Sequence, residues 1–182
     1  MKLRDYRPAD LASISRIEQE CFPAAVASSR GTLEKMLNGS ASAIVAEAEG
    51  GKLGGFVVYR KVNRVTGSLL TLDVLPEHRR RGLGSRLVSA AKERLTEMGA
   101  EKIQLRVSTD NTAAQAMYEK LNFRRVRVDA AFYRDGSDAW VLETAPWARS
   151  WSPASVWARL RERVRHFRVT GRLRRFQVRS DS

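Results

Sequence analysis

The chain has 182 residues, 43% of them hydrophobic, and carries a formal net charge of +13; that is one ordinary domain with length to spare, and disorder is not its main state. It holds no run of about 18 apolar residues that would span a membrane, and its opening, "MKLRDYRPADL", has no apolar signal core. Cys21, with only His78 and His166 beside it, gives neither a disulfide framework nor a metal site, and a reducing cytoplasm is the expected setting.

In chain order, "KLRDYR" (2–7) alternates and predicts a short strand. Pro8, Ala9 and Asp10 open a helix to about Glu20, with Ile14 and Ile17 on its apolar face, and Cys21-Phe22-Pro23 ends it. "SSRGTLEKMLNGS" predicts a second, short helix with Leu33, Met36 and Leu37 turned inward. "SAIVAEAEGGKLGGFVVYRKV" reads as a hairpin around its Gly-Gly turn, and "TGSLLTLDVLP" as a strand stopped by Pro76. From Gly82 to Met98 the period becomes helical, with Leu83, Leu87, Val88, Ala91 and Leu95 on one face and Gly99 closing the end. "KIQLRVS" is a strand. "NTAAQAMYEKL" is a helix with Ala113, Ala116, Met117 and Leu121 on its apolar side, and "FRRVRVDAAFY" and "AWVLET" are two more strands. One strand–helix–strand unit amid hairpins predicts a single parallel pair in a mostly antiparallel sheet.

From Pro153 the pattern changes. Ser152 caps and Pro153 opens a helix over about 153–168, with Val156, Leu160, Val164 and Phe167 on one face. Arg159, Arg161, Arg163, Arg165 and Arg168 crowd the rest. Between Thr144 and Ser182 ten arginines stand against Glu162 and Asp181, so eight of the thirteen net charges belong to this extension. Three readings stay open: the helix lies on an anionic membrane surface with Trp151, Trp157 and Phe167 shallowly buried, it contacts RNA or a ribosome, or it docks its stripe on the domain.

The densest signal is "EHRRRGLGSR" (77–86), between an apolar strand and a helix. The first N–H groups of a helix have no partner within it, and its dipole adds positive charge there. Gly82 and Gly84 leave that tip bare, and Arg79, Arg80 and Arg81 flank it. This is either a solvated basic turn or a cradle for a phosphate. The GxxxxGK[ST] loop is absent, and the dinucleotide pattern GxGxxG fails because Leu87 fills its last position. What remains is R-x-x-G-x-G at Arg79, Gly82 and Gly84.

With that motif "LDVLPEHRRRGLGSRLV" resembles the acyl-CoA-binding segment of the GNAT N-acetyltransferases. "STDNTAAQAMYEKLNF" is similar to the family's N-x-x-A-x-x-x-Y-x-x-x-G-F, with Asn111, Ala114, Tyr118 and Phe123 in place and Asn122 where glycine is usual. "IEQECFP" and "AFYRDGSDAWVLE" resemble its ribosomal-protein alanine N-acetyltransferase-like branch.

The resemblance covers residues 1–143 and implies an α+β (mixed α/β) fold, a twisted, mostly antiparallel sheet of six to seven strands with helices on both faces. Residues 144–182 stand outside it. It implies acetyl-CoA as cosubstrate, a primary amine of a protein, peptide or small molecule as acceptor, and direct transfer in a ternary complex. Carried over by position, Arg79 and the backbone N–H groups of Arg80, Arg81, Gly82, Leu83, Gly84 and Ser85 hold the diphosphate. Leu72 and Val74 pair with the pantetheine arm, and the Val74 N–H polarises the thioester carbonyl. Asn111 hydrogen-bonds the pantetheine region, and Tyr118 protonates the departing thiolate. A non-catalytic acyl-CoA- or nucleic-acid-binding module with the same fold is the rival reading.

The acceptor must be neutral to attack. At pH 7 an α-amine of pKa ~7.7–8.0 is roughly 10–20% neutral and a lysine near ~10.4 about 0.04%, so a lysine needs a positioned base far more. The related branch carries a glutamate where this chain has Arg106, which cannot serve as a base. Asp73, Glu18, Glu20 and Tyr133 are the other candidates, and Arg106 points instead to an acceptor with a nearby carboxylate. Oligomeric state stays open.

Overall fold

The computed structural model describes residues 1–22 and 27–144. The expected basic helix at about 153–168 lies outside the described residues. Among the described residues seven strands and four α-helices follow in the expected order: β1 (Lys2–Asp5), α1 (Leu11–Cys21), α2 (Arg30–Asn38), β2 (Ala41–Glu47), β3 (Leu53–Lys61), β4 (Thr66–Val74), α3 (Leu83–Glu97), β5 (Lys102–Ser108), α4 (Thr112–Lys120), β6 (Phe123–Asp129) and β7 (Ala139–Thr144). They form one sheet in the order β1-β2-β3-β4-β5-β7-β6. Among these described strands only β4 and β5 run parallel; α3 makes the crossover between them, as a parallel connection requires. Among the described residues, no helix is long and apolar enough to cross a membrane.

Alternation along the strands sends neighbouring side chains to opposite faces. Ala43, Val45, Phe56 and Val58 pack with Leu11, Ile14 and Ile17 of α1 and Leu33 of α2. The opposite face meets α3, whose Leu95 sits so close to Gly67 that an added Cβ would lie 2.8 Å from it. Leu83, Leu87, Val88, Ala91 and Leu95 are all buried, so the helical period of that segment marks its inner face. Burial on both faces explains why β3 reads as a near-continuous apolar run. Phe56 is completely buried at the centre of this core. Phe56→Ala is therefore expected to cost about 3–5 kcal/mol, measured by chemical denaturation with an unchanged m-value.

Arg4 secures the start of α1. Its guanidinium meets Asp10 at 2.7 Å and Glu47 at 3.0 Å, which ties β1, the first helical turn and β2 together. Three local expectations are corrected. Residues Pro8–Asp10 form a separate 3₁₀ turn ahead of α1. β6 stops at Asp129 rather than continuing to Tyr133, because Ala131 is left-handed and its N–H is held by Asp138. On α4, Ala113 and Ala116 are exposed, and the buried residues are Gln115 and Tyr118. The Gln115 amide donates to the carbonyls of Ser108 and Thr109, so a polar side chain holds the inner face of that helix.

Candidate active site

The site begins where the sheet comes apart. β4 and β5 pair only over Thr66↔Lys102, Gly67↔Ile103 and Ser68↔Gln104. Beyond that, β4 continues to Val74 against β3, and β5 continues to Ser108 against β7. Their facing edges separate. A bulge contributes: Thr71 faces Val58 and Leu69 faces Tyr59, which leaves Leu70 unmatched, and an extra residue bends its strand. The Leu75 N–H donates to the Gly54 carbonyl of β3 at 3.0 Å. Backbone groups alternate sides along a strand, so the peptide groups of Leu72 and Val74 point away from β3 into the opening. The Val74 carbonyl is already taken, by the Arg79 guanidinium at 2.8 Å and the Cys21 thiol at 3.3 Å. Of the two groups assigned to Val74, its N–H is therefore the one left for a ligand.

The glycine–arginine turn lies at the end of β4. Pro76–His78 form a 3₁₀ turn, and α3 starts at Leu83 with Gly82 as its cap at φ 75°. No side chain caps this end. The first backbone bond back into the turn is from Arg86 N–H to the Gly82 carbonyl, so the N–H groups of Leu83, Gly84 and Ser85 project from the tip. Arg80 is also left-handed, at φ 61°, a conformation that costs a non-glycine residue about 1–3 kcal/mol and clusters at functional sites. Left-handed residues alternating with others turn successive N–H groups inward to form an anion nest.

The arginines and glycines divide their tasks in a way the motif did not reveal. Arg79 is committed to Val74, while Arg80 and Arg81 are exposed at the tip. A Cβ at Gly82 would meet nothing within 4 Å, so that glycine is required by its backbone angle. A Cβ at Gly84 would come to 3.1 Å from the Met117 sulfur and near Leu72 and Val74. Gly84 thus lets α3 approach β4 and α4, rather than clearing room for an anion as expected. Asn111 is exposed and caps α4, its Oδ1 accepting from Ala114 N–H at 3.0 Å, which leaves its Nδ2 to face a ligand. Asn122, in the usual glycine position, has φ 65°, and asparagine tolerates that region better than most side chains.

Tyr118 comes from α4 and is 7% exposed, edge-on to Phe123 at 5.6 Å between ring centres. Burial pushes its phenol well above the ordinary tyrosine range, and the nearby Asp73 and Tyr133 push it further. It therefore holds its proton at neutral pH. From β4, Asp73 turns to the opposite face from Leu72 and Val74, together with Thr71. There it meets Glu18 of α1, and all but 1% of Asp73 and 2% of Glu18 is buried. The Thr71 hydroxyl lies 2.8 Å from Asp73 Oδ2 and 3.4 Å from Glu18 Oε2, and Glu18 Oε1 accepts from Ser28 N–H at 2.7 Å.

The remaining base candidates fall elsewhere. Glu20 is exposed beside Arg16. Tyr133 is half-buried, with burial raising its phenol and the Ser108 N–H opposing. Arg106 donates to Asp129 Oδ2 at 2.7 Å and stacks over Phe132 at 5.0 Å. The carboxylate beside Arg106 is therefore the chain's own, which corrects the expectation that it awaits one on the acceptor. Sequence reasoning missed Thr71, Gln115 and the Cys21 contact with Val74. The available signal was an acid inside the apolar run "LLTLDVL", two residues beyond a threonine on the same face.

Residues 11–123 match the acetyltransferase (GNAT) family. The chain is 40% identical over 77 residues to an N-alpha-acetyltransferase of Saccharolobus solfataricus, a match covering 42% of this chain and 46% of that one. It is 37% identical over 94 residues to a mycothiol acetyltransferase of Clavibacter sepedonicus, covering 52% of this chain and 31% of the other. These matches span less than half the length of either relative. The crystal structure of the ribosomal-protein-S18-alanine N-acetyltransferase from Escherichia coli superposes with a TM-score of 0.71 at 25% identity, over 80% of this chain and 93% of that one.

Proposed function

The chain belongs to the acetyltransferase (GNAT) family, and from that premise we propose that it moves the acetyl group of acetyl-CoA to a primary amine, with the α-amine of a protein or peptide as the acceptor class. One observation carries this reading: the strand opening ends beside a helix tip that presents bare N–H groups. The cosubstrate supplies an acyl carbon activated as a thioester. An extended arm fits the opening as an added strand, and an anionic diphosphate fits the N–H groups of residues 80–85 with the Arg80 and Arg81 charges alongside. The Val74 N–H, which points into the strand opening, would stabilise charge developing on the thioester oxygen. Tyr118, held protonated by burial, would return a proton to the departing sulfur.

The α-amine class is supported by the activities named for the archaeal N-alpha-acetyltransferase and the bacterial alanine N-acetyltransferase, and by the larger neutral fraction of an α-amine at pH 7. The mycothiol acetyltransferase likeness supports a small-molecule acceptor as the second reading. Thiol release from acetyl-CoA, measured with free peptides, N-blocked lysine peptides and small amines, tests both. Free peptides are expected to turn over at least tenfold faster than blocked ones, with the acetyl group on the terminal nitrogen by mass spectrometry. Turnover with small amines alone would favour the second reading, and coenzyme A binding without transfer to any amine would leave a binding module.

A further inference from the structure

We infer that the buried Glu18–Asp73 pair is the proton acceptor for the incoming amine, with Asp73 Oδ1 taking the proton and Glu18 acting as a positioning residue. This rests on the acetyl-transfer reading above and names the group on which that reading is silent.

Asp73 precedes Val74, whose N–H looks into the strand opening, and its own side chain lies on the α1 face of the same strand. The charged and titratable groups around it come from four elements: Glu18 and Cys21 from α1, Thr71 from β4 itself, Arg79 from the turn before α3, and Tyr118 from α4. Arg79, the one cation in that set, spends its Nε on the Val74 carbonyl. The Thr71 hydroxyl has a single hydrogen to give, and its two acidic neighbours compete for it.

A pair retained only to pin α1 to β4 would have its oxygens satisfied, because an orphaned buried acceptor is destabilising. No donor reaches the buried Asp73 Oδ1, the one such side-chain atom among the described residues, and besides the Thr71 hydroxyl the side-chain partner of this carboxyl is another acid, Glu18. Burial first, and the Glu18 charge second, push the Asp73 carboxyl up to about 8. That matches an α-ammonium near ~7.7–8.0, the condition under which proton transfer works best near neutral pH.

In the transfer step the amine nitrogen forms a bond to the thioester carbonyl carbon, and the bond from that carbon to sulfur breaks. A nitrogen-bound proton passes to Asp73 Oδ1, directly or through one water, and the Tyr118 hydroxyl gives its proton to the sulfur. Solvent then removes the proton from Asp73 and restores that of Tyr118, so the products are the amide and coenzyme A.

The full chain, acetyl-CoA and a peptide with a free α-amine test this. Asp73→Asn is expected to lower kcat/KM about 10²–10³-fold, with coenzyme A binding by calorimetry within twofold of the parent. Glu18→Gln is expected to move the acidic limb of kcat/KM to lower pH by about half a unit or more, because removing a like charge lowers the proton affinity of Asp73. The limb contributed by the peptide's own amine would stay in place, and a purely structural pair would move neither. If Asp73→Asn fails to fold, the position of the Glu18→Gln limb decides alone. Asp73→Asn that binds coenzyme A and keeps a third or more of the parent kcat/KM, or an unmoved limb in Glu18→Gln, overturns this inference alone. A parent chain that binds coenzyme A and acetylates no amine overturns the transfer reading and this inference with it.

Discussion

Tyr118→Phe is expected to lower kcat about 10²-fold or more while leaving the KM for acetyl-CoA and the stability of the fold close to those of the parent. The substitution removes one oxygen. The ring keeps its burial and its edge contact with Phe123, so the packing of α4 on β6 is preserved. What disappears is the proton that the phenol would deliver to sulfur, and general acid catalysis contributes about 10²–10⁴-fold. A 10²-fold loss corresponds to about 2.7 kcal/mol of barrier. Because burial and Asp73 hold the phenol well above its ordinary range, the parent should show no basic limb from this residue below pH 10. Steady-state kinetics with a thiol reagent checks both statements. Retention of a third of the parent kcat in Tyr118→Phe would show that another group protonates the sulfur.

Gly82→Val is expected to raise the Kd for coenzyme A about 10–100-fold. Gly82 stands at φ 75° with open space around it, so the damage is conformational and not a clash. A left-handed backbone costs an ordinary residue about 1–2 kcal/mol, and a branched Cβ makes it worse. Relaxation of that angle would turn the N–H groups of Leu83, Gly84 and Ser85 away from a common focus. Gly84→Ala is the contrast. Its Cβ would press on the Met117 sulfur at 3.1 Å, so its main effect should fall on thermal stability, with a smaller change in Kd. Calorimetry with coenzyme A and thermal melts of both variants separate the two glycines. Equal Kd values for Gly82→Val and the parent would remove the helix tip from the binding site.

The fold was readable because its signals were local. The change from alternation to a 3.6 period at Gly82 marked α3, and the strand–helix–strand unit that follows fixed the one parallel pair. The sites of failure were non-local or polar. Nothing in "LLTLDVLP" discloses that Leu70 is a bulge, because a bulge is defined by the partner strand. The apolar face drawn for α4 put Ala113 and Ala116 inside, since alanine carries little information about burial, while Gln115 was overlooked because its compensating carbonyls lie in the preceding turn. The helix tip could be located from Arg79, Gly82 and Gly84, but the duties of Arg79 and Gly84 are set by neighbours 5 and 33 residues away, Val74 and Met117. The same holds for Arg106, whose partner Asp129 sits across β7, 23 positions along the chain.

The parting of β4 from β5 has a thermodynamic corollary. Several main-chain donors and acceptors at the molecule's centre forgo each other's company, and the cosubstrate is the extended object that can mend the seam. Occupancy should therefore slow amide exchange in Leu69–Val74 and Leu105–Ser108 more than elsewhere. Saturation at one hundred times the dissociation constant would add about 2.7 kcal/mol to the stability of the folded form. Resistance of the chain to proteolysis would then rise and fall with the supply of acyl donor, coupling its lifetime to the metabolic state it serves.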